Sequence, residues 1–259
     1  GRVVEVCERS RRITCPFHGW SFDLEGGLQA AQRNLKAARH KAGLPADAPG
    51  VLLLTETATE GAFARLAARK TASWGCEQPE ETALILRWPD RPPLVVIAGR
   101  QFQSAERIEV LGIGTRAPGR DGAPLAQLLE TLIAEEVPAI LPWGVGKWLG
   151  RRGEIVAEIV AARPGLLLGD NAGRPAGWPD PALFADHVVL PGTDPLPRRG
   201  AEAGIGRYGF VLDGPLDLAQ PASDLRRRLA TLKTSPDPFG RRVSTLRALT
   251  DQIRLRLPG

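Results

Sequence analysis

Polar and glycine-rich stretches stand directly behind short apolar runs at several points of this 259-residue chain. His18 follows one such run, and an imidazole titrating near neutrality suits general acid or base work. Glu56 closes the apolar run Val51 to Leu54; it would orient His18, contribute a proton-transfer group or cap the next helix. Asp194 follows Val188 to Leu190 as a general base, an arginine partner or a structural Asx turn. If these three converged they would hold at most one divalent metal. The most distinctive stretch is Pro142-Trp143-Gly144-Val145-Gly146-Lys147-Trp148-Leu149-Gly150-Arg151-Arg152. Its glycines allow close backbone approach to a ligand, Lys147, Arg151 and Arg152 supply charge, and Trp143 and Trp148 supply stacking surfaces. Lys147 is followed by Trp148 rather than Ser or Thr, so this is no Walker loop. Gly169 to Pro175 forms another such loop, where Asp170, Asn171 and Arg174 would contact a ligand, or Asp170 would orient Arg174. The alternative at each place is a packed loop or a turn.

The elements that must position these residues alternate in type. Short apolar runs at 3–6, 12–15, 51–54, 83–87, 94–98, 108–112, 137–141, 166–169, 188–190 and 205–212 predict strands. Apolar positions at helical spacing predict helices over 28–42, 60–70, 124–136, 153–162, 181–185, 225–232 and 243–255. Alternation of strand and helix implies a parallel α/β arrangement, and a single barrel domain over 1–259 suits this length. The helices of about 222–259 would pack on it, and the polar loops would gather at the strand C-terminal face.

Two family resemblances rest on these residues. Cys15-Pro16-Phe17-His18-Gly19-Trp20-Ser21-Phe22-Asp23 resembles the second half of a Rieske iron–sulfur motif. The first half is missing, because Cys7 is followed by Glu8 and Arg9 where that motif needs Cys-x-His, so no iron–sulfur cluster is expected. The chain also resembles the PHP (polymerase and histidinol phosphatase) superfamily. Pro16-Phe17-His18 stands at its His-x-His, Leu53 to Ala62 at its Thr-Asp-His-Asp-Thr-x-x-Gly, and Val96 to Gln101 at its Pro-Gly-x-Glu strand. Glu109 to Gly112, Ile140 to Gly144 and Leu190 to Pro195 follow in the family's order. This resemblance implies a distorted (β/α)7-type barrel. It also implies a metal-dependent phosphoesterase site, but Pro16, Thr57, Gln101, Glu109, Leu141 and the stretch Pro195-Leu196 replace the ligands. His18, Glu56 and Asp194 are what remains, so a multinuclear centre is not expected and no cofactor is favoured.

Composition limits the function classes further. Apolar residues are 43% and charged residues 24% of the chain, which is ordinary globular usage. No apolar stretch is long enough for a membrane helix. Three histidines exclude a histidine-rich metal cluster; His40 and His187 are expected to be structural. Three cysteines cannot all pair, which suits a reducing cytoplasm. The net charge of +5 permits an anionic partner, while no basic and aromatic pattern indicates nucleic acid. The leading expectation is a protein that binds a small anionic or sugar-phosphate-like ligand at the strand C-terminal face, with a protein partner also open. The alternatives are a residual hydrolase and a non-catalytic scaffold or interaction subunit; Trp143 and Trp148 buried in the core would favour the scaffold.

Overall fold

The computed structural model describes residues 11–16, 24–118, 120–144, 146–194, 201–246, 248 and 250. The elements, in chain order, begin with β1 (Arg11–Pro16), α1 (Leu24–Lys41), β2 (Gly50–Glu56) and α2 (Ala62–Ala67). A hairpin of β3 (Gly75–Glu80) and β4 (Ala83–Trp88) leads into β5 (Arg91–Gln103) and β6 (Glu109–Ile113). Then come α3 (Leu125–Ala134), β7 (Ala139–Pro142), α4 (Gly150–Ala161), β8 (Leu167–Asn171) and β9 (Val189–Gly192). β10 (Tyr208–Asp213), α5 (Pro221–Thr231) and β11 (Pro238–Gly240) close the described part.

One 11-stranded sheet carries all of them, in the order β11-β10-β1-β2-β5-β6-β7-β8-β9, with β4 also on β5 and β3 on β4. Its strands alternate apolar side chains between two faces, as a sheet covered on both sides requires. Val51 and Leu53 of β2, Val95 and Ile97 of β5, Ile140 of β7, Leu167 of β8 and Phe210 of β10 share one core. α5 fills this face with Ala222, Leu225 and Leu229. The opposite face takes α1 and α2 against Leu52, Leu54, Val96 and Ala98. Farther along the sheet it takes α3 and α4 against Val110, Leu141 and Leu168. Glu80 of β3 fixes the start of α5 by accepting bonds from the Ala222 N–H (2.6 Å) and the Ser223 hydroxyl (2.5 Å). This satisfies donors that a helix N-terminus leaves open.

The barrel expected from the family resemblance is not the fold. Six of the ten strand pairings are antiparallel. Among the described residues no ladder joins β9 to the β10–β11 end, so the sheet is open. The reason lies in the connections. A parallel neighbour needs a long crossover, whereas β4 passes to β5 through Pro89 and Asp90 alone, and β3 to β4 through Glu81 and Thr82. The β5–β6 link is also a tight turn, with Ser104 N–H bonded to the Ile108 carbonyl at 2.9 Å. The chain is therefore mixed α/β, and neither a (β/α)7 barrel nor the PHP assignment that went with it is carried forward. β3 and β11 are strands that apolar patterning overlooks, since Gly75–Glu80 is polar and mostly exposed. The strand expected at 3–6 lies outside the described residues, as do 251–255 of the last expected helix.

Candidate functional site

The ends of β7, β8 and β9 and the start of β10 bring several of the expected residues into one region. Behind β7, the Lys147 ammonium donates to Glu109, which begins the neighbouring β6. Gly144 makes this possible: a Cβ there would stand 2.7 Å from Lys147 Cδ. Such an approach is closer than side chains tolerate, so the glycine gives the lysine stem its path. The Lys147 side chain keeps 35% of its surface exposed and Glu109 13%. Gln101 of β5 lies on the strand beside β6. Its Oε1 is buried with no hydrogen-bond partner among the described residues.

Behind β8 stands a buried ionic network. Arg174 Nε and Nη2 donate to the two oxygens of Asp170 at 2.7 and 2.9 Å. The Tyr208 hydroxyl donates to the same carboxylate at 3.0 Å. Arg174 Nη2 also reaches Asp180 at 2.6 Å, and Nη1 donates to the Pro179 carbonyl at 3.1 Å. Its guanidinium lies 5.5 Å from the Phe184 ring centroid. Arg242 reaches Asp180 from the other side at 3.3 Å. Burial works against the Arg174 charge, but Asp170 and Asp180 outweigh it and hold its pKa above the ordinary value. Burial, then the Asp170 carboxylate, pushes the Tyr208 phenol up. Arg174 is only 2% exposed, and its fork is committed to the protein itself, the planar bidentate use that suits arginine.

The other expected residues have these places. His18 lies outside the described residues. Glu56 is buried, and its carboxylate accepts from the N–H groups of Ala62 and Phe63. It therefore serves the α2 N-terminus, the capping role among those expected of it. Asp194 has a left-handed backbone, φ 42°, at the end of the β9 loop. Trp143 is 8% exposed and packs edge-to-face on Trp178 at 6.5 Å. Its carbonyl accepts from the Asn171 amide at 2.9 Å. Trp148 packs edge-to-face on Phe184 at 5.8 Å, beside the α3–α4 core. Arg151 is exposed in the first turn of α4. The structure thus brings Trp143, Asp170, Asn171 and Arg174 together, sets Lys147 with Glu109, and leaves Glu56 with α2. Among the described residues no three His, Cys, Asp or Glu side chains form a group able to hold a metal ion.

Sequence reasoning missed Tyr208, Asp180 and Arg242 as members of the network, and Glu109 as a partner for Lys147. Only Tyr208 carried a signal, as the single tyrosine of the chain. Asp180 lies six residues beyond Arg174 on the same link, Glu109 reaches Lys147 because β6 pairs with β7, and Arg242 comes from a segment distant in the chain.

No family model matches this chain, and no curated protein does. Among solved structures, PsfC from Pseudomonas syringae PB-5123 is similar at 14% identity, covering 87% of this chain and 88% of that one, with a TM-score of 0.49. No helix among the described residues is long and apolar enough to cross a membrane.

Proposed function

We propose that this chain is a non-catalytic interaction subunit. The observation that carries this reading is Arg174: the side chain best suited to grip an anion spends its fork on Asp170, Asp180 and the Pro179 carbonyl. Trp143 and Trp148 support it, since both rings pack on aromatic neighbours where ligand stacking would need them open. Glu56 supports it as well, because its carboxylate serves a helix. The sparse cysteines agree with work in a reducing cytoplasm. Calorimetric titration with inorganic phosphate and ribose 5-phosphate, and p-nitrophenyl phosphate turnover with added Mn²⁺, test the reading. Neither binding nor turnover is expected. Stoichiometric phosphate binding that Lys147→Ala removes, or turnover that Asp194→Asn removes, overturns it.

A second reading has its own support in Lys147. About a third of its side chain is exposed, its stem is guided past Gly144, and Gln101, on the strand beside the one that carries Glu109, offers a buried acceptor with no partner among the described residues. Under this reading a small anion with a hydroxyl, such as a sugar phosphate, pairs with Lys147 and donates to Gln101. The phosphate titration separates the two readings directly.

A further inference from the structure

At the opposite end of the strands from Lys147 and Arg174, where β7 and β8 begin, a groove of about 780 Å³ runs between α5 and the C-terminal ends of α3 and α4. Ile133, Val137, Leu167 and Leu229 give it an apolar lining. Ile133 is 57% exposed, an unusual place for a large aliphatic side chain on a helix whose four leucines are buried. Arg163, Arg226 and Arg227 also line it, against Glu136 as the one lining carboxylate. Arg226 is occupied: it donates to the carbonyls of Glu135 and Glu136 at 3.1 and 2.8 Å, which offsets the negative end of α3. That leaves Arg163 and Arg227 to set the charge of the rim. Their carboxylate partners are an exposed Glu130, 69% open, and Asp224, which Arg228 also holds. The Arg163–Glu130 pair is weak and exchangeable, while the buried Asp224 stays paired with Arg228 when Arg227, 71% exposed, turns to a new carboxylate.

We infer that this groove docks an acidic amphipathic segment of a partner protein, its apolar side chains against Ile133 and Ala230 and its carboxylates on Arg163 and Arg227. The inference rests on the interaction-subunit reading and supplies its surface. Charge complementarity selects the partner. With the pairing partners counted, Arg163, Arg226, Arg227 and Arg228 stand against Glu130, Glu136 and Asp224, which leaves the region cationic on a chain of net charge +5. The volume falls within the roughly 300–1,000 Å³ of well-formed binding clefts, enough for a few side chains. A helix laid in a groove meets it through apolar residues at i, i+3, i+4 and i+7.

The test is fluorescence anisotropy with a fluorescein-labelled peptide carrying Leu at that spacing and Glu elsewhere. A second peptide with Lys for every Glu is the charge control. The acidic peptide binds and the basic one does not. Arg163→Glu and Arg227→Glu each weaken binding by about tenfold or more, since each places like charges together. Ile133→Asp abolishes binding, and because Ile133 is exposed this variant folds. Arg87→Glu changes the net charge equally but lies on β4, so affinity is unchanged. Equal binding of the two peptides, wild-type affinity in the three groove variants, or no binding of the acidic peptide overturns the proposal. Loss of peptide binding together with absent phosphate binding removes the groove and leaves the interaction-subunit reading; phosphate binding at Lys147 removes that reading whatever the peptide does.

Discussion

Replacing Arg174 with methionine separates a structural arginine from a ligand-binding one. The substitution keeps the aliphatic stem and removes the guanidinium. Asp170, 6% exposed on its side chain, then keeps only the Tyr208 hydroxyl and loses both charged donors. Asp180 is 67% exposed and turns to water, so its share of the loss is small. Stranding one partner of a buried ion pair costs about 3–5 kcal/mol. For a domain of this size that corresponds to a fall in Tm of roughly 6–20 °C. Urea denaturation followed by circular dichroism measures the loss directly. Asp180→Asn is the internal control, and it costs less than about 1 kcal/mol because exposed pairs contribute little. The double variant Asp170→Asn with Arg174→Met leaves no lone charge, so it is less destabilised than the sum of its parts by about 2 kcal/mol. A loss under about 1 kcal/mol for Arg174→Met, or strict additivity in the double variant, refutes the structural assignment and returns Arg174 to a ligand.

The phenol of Tyr208 has its pKa raised in the folded state by burial and by Asp170, so ionisation is easier in the unfolded chain. Stability is then fully retained below the ordinary phenol value of about 10 and falls as pH rises past it, by up to about 1.4 kcal/mol per pH unit. Denaturation midpoints between pH 8.5 and 11 show this slope, and Tyr208→Phe flattens it; an unchanged slope in that variant places the titration elsewhere. Glu80→Ala removes the acceptor for the Ala222 and Ser223 N–H groups at the start of α5 and costs about 1–2 kcal/mol in urea unfolding. Gly240 has φ +78°, and a Cβ on it would stand 1.8 Å from the Arg207 carbonyl oxygen. Gly240→Ala therefore destabilises by about 1–3 kcal/mol or more in thermal melts, with the β10–β11 pairing lost first in hydrogen exchange.

Much of the element order was legible because burial writes itself into apolar pattern. Leu28, Ala31 and Leu35 share a helical face, and those residues do pack on the sheet. Val51 to Leu54 reads as a continuous apolar run because both of its faces are covered. Strand direction was not legible in the same way. A run such as Leu94 to Ala98 looks identical whether its neighbour is parallel or antiparallel, and only the connection decides. The Pro89-Asp90 link was the available signal: a strand, a turn of that chemistry and another strand read as a hairpin. The polar strand β3 left no apolar trace, since only its partner β4 is buried.

The chemistry was legible as residue type and place but not as use. Asp170 and Asn171 end β8, and Trp143 and Arg174 stand just behind β7 and β8. Yet an arginine behind a strand reads alike whether it awaits an anion or already holds Asp170. The difference lies in Asp180, Tyr208 and Arg242, which approach from three other segments. These contacts decide how the two ends of the sheet differ. At the C-terminal end of β8, cation and carboxylate are matched inside the fold and desolvated together, so an incoming anion would have to break a buried pair worth several kcal/mol. At the end where β7 and β8 begin, Arg163 pairs with Glu130, 69% exposed, and Arg227, itself 71% exposed, shares the buried Asp224 with Arg228, so Asp224 keeps a cationic partner when Arg227 turns to a new carboxylate. Of the two cationic regions, the one whose arginines can turn outward without stranding a buried carboxylate offers a new carboxylate the smaller penalty, which is why we propose the groove for recognition.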